Sequence, residues 1–329
     1  MIRFLLIGAG RIGRIHAENI ARGSRSALAV VADADAQAGK ELSGRWNCRA
    51  VPPEQALAQP DVDAVLIASS TDTHADWIER CAAAGKPVFC EKPLDLDIAR
   101  ATACMRKAEA AGIPLYLGFN RRYDPSFARL KREIEAGNIG RLETLHITSR
   151  DPAPPPIEYI RRSGGLFRDM MIHDLDMARW LLGVEPIEVF ARGSALADPA
   201  IGAAGDVDTA MVTLRTSDGR LCQIANSRRC SFGYDQRIEA FGATGMVRAD
   251  NHTATSVTFA AANGFTTEPA LPFFLERYAD AYRLELDDFI NALEGRAVQL
   301  ATGEDGRRAL MLADAAQESL RSGAPVSLH

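Results

Sequence analysis

The chain lacks most of what would mark it as a membrane, secreted or nucleic-acid-binding protein. No apolar run approaches the roughly 20 residues that a membrane span needs. The opening MIRFLLIGAG is too short an apolar stretch for a secretory leader and runs straight into glycines, so it reads as a buried strand. No cluster of lysine and arginine appears, and the formal net charge is −5, which disfavours nucleic acid and anionic membranes as partners. Cysteine is sparse. Cys48, Cys81, Cys90, Cys104, Cys222 and Cys230 form no CxxC pair and none sits at zinc-ligand spacing with a histidine, so no metal site is expected. Cys81, Cys90 and Cys104 fall within apolar patterning, the habit of reduced cysteines in a cytoplasmic protein. Lysine is scarce too: of 38 basic side chains only Lys40, Lys86, Lys92, Lys107 and Lys131 are lysine, so each is worth locating.

What remains is ordinary globular composition, 47% hydrophobic and 25% charged. A chain of 329 residues exceeds what one core usually supports, so two domains are expected. Over the first 120 residues, short apolar runs alternate with helical patterns: Phe4–Ile7, Leu28–Ala32, Ala64–Ala68, Val88–Cys90 and Leu115–Gly118. Such runs separated by helices predict a parallel sheet covered on both faces. The pattern then changes. Helices are expected over Pro125–Ala136, Gly165–Leu182, Phe274–Leu293 and Gly303–Ser322. Strands are expected at Leu142–Ser149, Ile187–Ala191, Thr209–Thr216, Leu221–Ser227, Arg237–Gly242 and Ser256–Ala260, with a proline-rich loop at Asp151–Pro156. The fold class is therefore α/β: a dinucleotide-binding domain over 1–120 and an α+β domain over 121–329 with an open, mostly antiparallel sheet. The last helices are left able to pack back on the first domain.

Gly8-Ala9-Gly10-Arg11-Ile12-Gly13 is a GxGxxG that follows a strand and opens a helix. Gly8 permits the tight turn, Gly10 lets a pyrophosphate approach the backbone, and Gly13 allows close helix–strand contact. The helix start at Arg11 and Ile12 offers N–H groups to the phosphates. Asp33 ends the second strand 20 residues after Gly13, where an acidic residue bonds ribose hydroxyls. No arginine follows it, and a carboxylate repels a 2′-phosphate, so NAD is expected rather than NADP.

Ser69, Ser70, Thr71 and His74 follow the Ala64–Ala68 strand and either line the cofactor or cap the next helix. Glu91 and Lys92, before Pro93, end another strand. Lys92 either faces the cofactor cleft, where its charge would stabilise an alkoxide, or pairs with Glu91 at the surface. In Asp169-Met170-Met171-Ile172-His173-Asp174-Leu175-Asp176, the spacing places Asp169, His173 and Asp176 on one helix face. A histidine flanked by carboxylates suits a general base; metal binding and plain ion pairing are the alternatives. Arg121 and Arg122, in Gly118-Phe119-Asn120-Arg121-Arg122-Tyr123-Asp124, suit either substrate contact or salt bridging.

Taken together, GAGRIGRIH, then EKP, then a GG(x)3D(x)3HDxD run resemble the Gfo/Idh/MocA family of sugar and cyclitol oxidoreductases, in that family's order and along essentially the whole chain. GFNRRYDPSF, TSRDPAPP, SGGLFRDMMIHDLDMARWLLG and YDQRIEAFG resemble a subgroup that acts on inositols. The resemblance implies a Rossmann domain, a catalytic trio of Lys92, Asp169 and His173, and substrate contacts by Asp176, Asn120, Arg121 and Tyr234. It also implies a homo-oligomer, a tetramer before a dimer, built on the exposed sheet face. The implied reaction is NAD-dependent oxidation of a cyclic polyol, myo-inositol before scyllo-inositol or an aldose. A dinucleotide-binding redox regulator is the non-enzyme alternative. Which residue between His146 and Asp151 faces substrate stays open.

Overall fold

The first strands are apolar without interruption because helices cover both faces of the sheet they build. The computed structural model describes residues 1–328. In it, β1 (Ile2–Ile7), β2 (Ser26–Ala32), β3 (Arg49–Val51), β4 (Ala64–Ile67), β5 (Val88–Cys90) and β6 (Leu115–Leu117) form a parallel six-stranded sheet in the order β3-β2-β1-β4-β5-β6. The order reverses between β1 and β4. Beyond the carboxyl ends of those two strands lies the crevice where doubly wound sheets bind their ligands. The helices α1 (Arg11–Arg22), α2 (Ala36–Trp46), α3 (His74–Ala83) and α4 (Ile98–Ala110) connect the strands. Asp35 and Asp97 start α2 and α4 by accepting hydrogen bonds from first-turn N–H groups. The short edge strand β3 has two exposed residues of three, so it carries no apolar run to betray it in the sequence.

The second sheet has seven strands. These are β7 (Leu142–Arg150), β8 (Pro186–Ser194), β9 (Thr209–Thr216), β10 (Leu221–Ser227), β11 (Asp235–Gly242) and β12 (Gly245–Ala249), closed by β15 (Val326–Ser327) in the order β12-β11-β7-β10-β9-β8-β15. The β10–β7 pair is parallel and the other neighbouring pairs among the described residues are antiparallel. Residues along β9 alternate buried and exposed, as a sheet with one covered face requires. The strand expected at Ser256–Ala260 is not part of this sheet. It lies in a separate hairpin of β13 (Thr258–Ala261) and β14 (Gly264–Thr267), exposed throughout. The helices of this half are α5 (Pro125–Glu135), α6 (Ile157–Ser163), α7 (Gly165–Asp169), α8 (Ile172–Leu182), α9 (Pro199–Ala203) and α10 (Phe274–Arg277), followed by α11 (Ala279–Leu293) and α12 (Gly303–Ser322).

The chain divides into two compact units, Met1–Asn120 with Ala281–Leu310, and Arg121–Asp280 with the segment from Met311 onward. The chain first crosses between units after Asn120, and Ala281–Leu310 belongs with the first. Leu286, Phe289 and Ile290 of α11 join Phe4, Leu6, Ile20, Leu66 and Phe89 in the core of the first unit. Phe289 is the hub, its ring 5.6–6.0 Å from those of Phe4, Phe89 and Tyr116. Among the described residues, no helix is long and apolar enough to cross a membrane.

Candidate active site

The glycine loop after β1 is built for close approach on two sides and for access on the third. Gly8 has φ +102°, and a Cβ there would stand 2.4 Å from the Ala68 carbonyl oxygen. A Cβ on Gly13 would stand 2.0 Å from the Gly8 carbonyl oxygen, whereas one on Gly10 would meet nothing within 4 Å. Gly8 and Gly13 thus seat the loop against β4 and α1, and Gly10 leaves open space beyond β1. Gly10 also N-caps α1 with no capping side chain. The first-turn N–H groups, beginning with exposed Arg11 and half-buried Ile12, therefore lie outside the helical ladder, ready for an anion. Asp33 pins the loop to the end of β2: one carboxylate oxygen accepts the Ala9 N–H at 2.5 Å and the other the Asp35 N–H at 2.7 Å. This cradle fits a dinucleotide, with phosphates at the start of α1 and ribose hydroxyls at Asp33.

Ser69, Ser70 and Thr71 stand in the loop after β4. The Ser69 and Thr73 hydroxyls are 2.7 Å apart, and the Thr73 hydroxyl also donates to the Ser70 carbonyl at 2.8 Å. His74 and Glu91, both expected at the cofactor, are buried. His74 is 1% exposed, and its ring nitrogens lie 2.7 Å from the Pro93 carbonyl oxygen and 3.1 Å from that of Ser69. Burial holds its pKa below the ordinary value. Glu91 is likewise buried, with its carboxylate 2.7 Å from His16 Nε2. Both side chains brace the turn around Lys92. Lys92 is half-buried and precedes a cis peptide bond to Pro93.

In the second unit, the single helix expected over Gly165–Leu182 is two helices. α7 ends at Asp169 and α8 begins at Ile172. The N–H groups of Met170 and Met171 both reach the Leu166 carbonyl, at 3.0 and 2.9 Å, a widened turn. Met170, Met171 and Ile172 are all buried at this turn. Asp169 and His173 therefore owe their placement to this turn and not to helical spacing. Both are half-buried. Asp169 accepts the Tyr159 hydroxyl at 2.9 Å and faces the buried Arg228 guanidinium at 3.4–3.5 Å. Tyr159 and Arg228 were not legible in the sequence, since neither lies in a motif.

The adjacent arginines each take one aspartate of the His173-Asp174-Leu175-Asp176 run. Arg121 donates to Asp174 at 2.5 Å, and to the Ser149 and Tyr234 hydroxyls at 3.2 and 3.4 Å. Asn226 donates to the other oxygen of Asp174 at 2.9 Å. Burial pushes both the Asp174 carboxyl and the Tyr234 phenol upward. Arg122 grips Asp176 with two bonds, at 2.8 and 2.5 Å. Asp176 is 1% exposed and forms an internal ion pair with Arg122. Asn120, Arg121 and Tyr234 expose 5% or less, and Arg121 and Tyr234 belong to this supporting layer. The sequence singled out Asp176 and passed over Asp174, whose bonds to Arg121 and Asn226 only the fold shows.

The strand β7 separates the residues between His146 and Asp151 onto two faces. His146 is exposed while Leu145, Ile147 and Ser149 are buried, so His146 lies on the far face from the Arg121 network. Asp151, just past β7, is half-buried. Its carboxyl is pushed up to about 6, first by burial, against the opposing pull of Arg228 and Arg121, with Asp169 and Asp174 raising it further. It thus lies in the same charged basin as Asp169. Among the described residues, no cluster of three or more His, Cys, Asp or Glu side chains could hold a metal.

The doubly wound sheet with its glycine loop, uncapped helix and Asp33 defines a dinucleotide-binding protein. Residues 2–119 match the model of the "Oxidoreductase family, NAD-binding Rossmann fold", and residues 127–248 match the "GFO/IDH/MocA C-terminal domain". Inositol 2-dehydrogenase of Rhizobium meliloti is 47% identical over 327 residues, 99% of each chain. Myo-inositol 2-dehydrogenase of Thermotoga maritima is 46% identical over 330 residues, 100% of this chain and 99% of its own. The crystal structure of a myo-inositol dehydrogenase from Corynebacterium glutamicum superposes with a TM-score of 0.95 at 45% identity, covering 100% of this chain and 99% of that one. The chain belongs to the Gfo/Idh/MocA family and is an NAD-binding oxidoreductase.

Proposed function

We propose that the protein oxidises a secondary alcohol of a cyclic polyol with NAD, foremost myo-inositol to 2-keto-myo-inositol (scyllo-inosose), in inositol catabolism. The observation that carries this reading is likeness to inositol dehydrogenases along essentially the entire chain. NAD, when bound, supplies the acceptor for the carbon-bound hydrogen. His173 takes the hydroxyl proton as general base. Asp169, braced by Tyr159 and Arg228, orients His173 and stabilises its charged form. Lys92 holds the developing oxyanion. Asp33 supports NAD over NADP, since its carboxylate repels a 2′-phosphate.

The direct test is to mix the protein with NAD and myo-inositol and follow reduced-nicotinamide absorbance. A rise is expected. No rise with any inositol or aldose would leave a dinucleotide-binding regulator as the better reading.

Asp151 accepts a substrate hydroxyl in this scheme, and its burial makes a paired prediction. Its folded-state pKa lies above the unfolded value of about 3.9. The carboxylate therefore destabilises the fold increasingly as pH rises from about 4 towards 6, and fully above that. Asp151→Asn should stabilise the protein by about 1–3 kcal/mol at pH above 7, with no gain near pH 4. The same variant should lose roughly 10-fold or more in kcat/KM, the worth of a hydrogen bond to a charged group. Thermal melts at the two pH values, with steady-state kinetics, check both. A variant that is neither more stable nor less active removes Asp151 from the site.

The free cysteines support a reducing compartment, with burial pushing the Cys81 and Cys104 thiols up to about 12, and the reading places the protein in the cytoplasm. Met211, Leu221, Phe241 and Met246 are exposed on the open face of the seven-stranded sheet. Such an apolar face supports a homo-oligomer, a homotetramer foremost. Light scattering should return a multiple of the chain mass; a monomer at micromolar concentration would refute this.

A further inference from the structure

Lys92 is flanked by two residues, and each is tied to a buried imidazole. On one side, the Glu91 carboxylate lies 2.7 Å from His16 Nε2. His16 belongs to α1, three residues after Gly13, and is 1% exposed, edge-on to the rings of Phe89 and Tyr282. Its Nδ1 is buried with no hydrogen-bond partner among the described residues. A neutral ring has a single N–H, and here it belongs on Nε2, donating to Glu91. On the other side, the Pro93 carbonyl lies 2.7 Å from His74 Nδ1, while Nε2 lies 3.1 Å from the Ser69 carbonyl. The shorter contact places the proton of His74 on Nδ1, donating to Pro93. The two rings also reach back to the dinucleotide loops. Ser69 abuts Gly8, its amide nitrogen lying 2.7 Å from where a Gly8 Cβ would stand, and His16 lies on the helix whose start is the phosphate cradle.

We propose that His16 and His74 are positioning residues for the reaction. Each fixes one neighbour of Lys92 through a single N–H, so that the ammonium is held in register with the glycine loop. The inference rests on the reading of Lys92 as the oxyanion-stabilising group. It makes the two histidines opposite in what they tolerate. Glutamine carries its amide nitrogen near the place of Nε2, and asparagine near that of Nδ1. His16→Gln keeps the donor to Glu91 and His16→Asn loses it. His74→Asn keeps the donor to Pro93 and His74→Gln loses it.

The test is steady-state kinetics on these four variants and Lys92→Ala, with NAD affinity by calorimetry and folding checked by circular dichroism. His16→Asn and His74→Gln should lose about 10- to 100-fold in kcat, the effect of a small misplacement of a reacting group. Their partners should stay near the native kcat, and KM for polyol should move much less than kcat. The crossed pattern is the signature, since a role in packing alone would rank glutamine and asparagine alike at both positions. Equal losses within each pair, or no loss in either pair while Lys92→Ala is inactive, overturn the proposal. If Lys92→Ala itself turns over normally, the reading of Lys92 fails and this inference with it. A measurement on the native protein stands even if the variants misfold: nitrogen NMR with labelled histidine should find a proton on His16 Nε2 and on His74 Nδ1. A bare nitrogen at either position overturns the proposal.

Discussion

His173→Ala is expected to lower kcat by about 10²–10⁴-fold, the contribution of a positioned general base. The residue sits in the first turn of α8, half-buried, with buried Ile172 and Asp174 on either side. Its backbone is fixed by that packing, so truncation removes the imidazole without loosening the helix. NAD binding should survive, because the glycine loop, α1 and Asp33 belong to the other unit. Single-turnover kinetics with a calorimetric NAD titration separate the two effects. Normal turnover in the variant would show that another group takes the hydroxyl proton.

Lys92→Arg is expected to lose most activity, while Lys40→Arg on the exposed face of α2 changes nothing. Removing one preorganised group that stabilises an oxyanion costs about 10²–10³-fold. Arginine keeps the charge, so the comparison isolates geometry. A compact ammonium approaches one oxygen from any direction; a planar guanidinium is longer and needs room in its own plane. Room is what the turn lacks: Glu91, Pro93 and Leu94 are all buried, and Glu91 also packs on Gly118, where a Cβ would stand 2.9 Å from the carboxylate. Steady-state kinetics on Lys92→Arg and Lys40→Arg give the answer. Full activity in Lys92→Arg would mean that charge alone matters there, or that Lys92 does not meet the reacting oxygen.

The parallel sheet of the first unit was legible because fully buried strands are continuous apolar runs, and because the glycine pattern needs only local geometry. The cradle at Gly8, Gly10, Gly13 and Asp33 is spelled within 26 consecutive residues. Much of the second unit's site was not legible, for two physical reasons. Helical spacing across Met170 and Met171 predicts one helix, whereas a widened turn there ends α7 at Asp169 and starts α8 at Ile172. Salt bridging by Arg121 and Arg122 was one of two readings, and burial, which requires charges to satisfy each other, selects it. Arg121 with Asp174, and Arg122 with Asp176, are pairs more than fifty residues apart, and no motif records who partners whom. The same holds for His16 and Glu91, 75 residues apart in sequence. Several residues that look exposed in a motif, Asp176 and Arg121 among them, are buried, while Lys92, Asp151, Asp169 and His173 are half-buried.

The measurement that most directly tests the central claim is kcat/KM for myo-inositol, scyllo-inositol, chiro-inositol and glucose, each with NAD and with NADP. Myo-inositol with NAD should give the highest value, and His173→Ala should lower turnover of every substrate by a similar factor, about 10²–10⁴-fold. A higher kcat/KM for another polyol, or a preference for NADP, would contradict it.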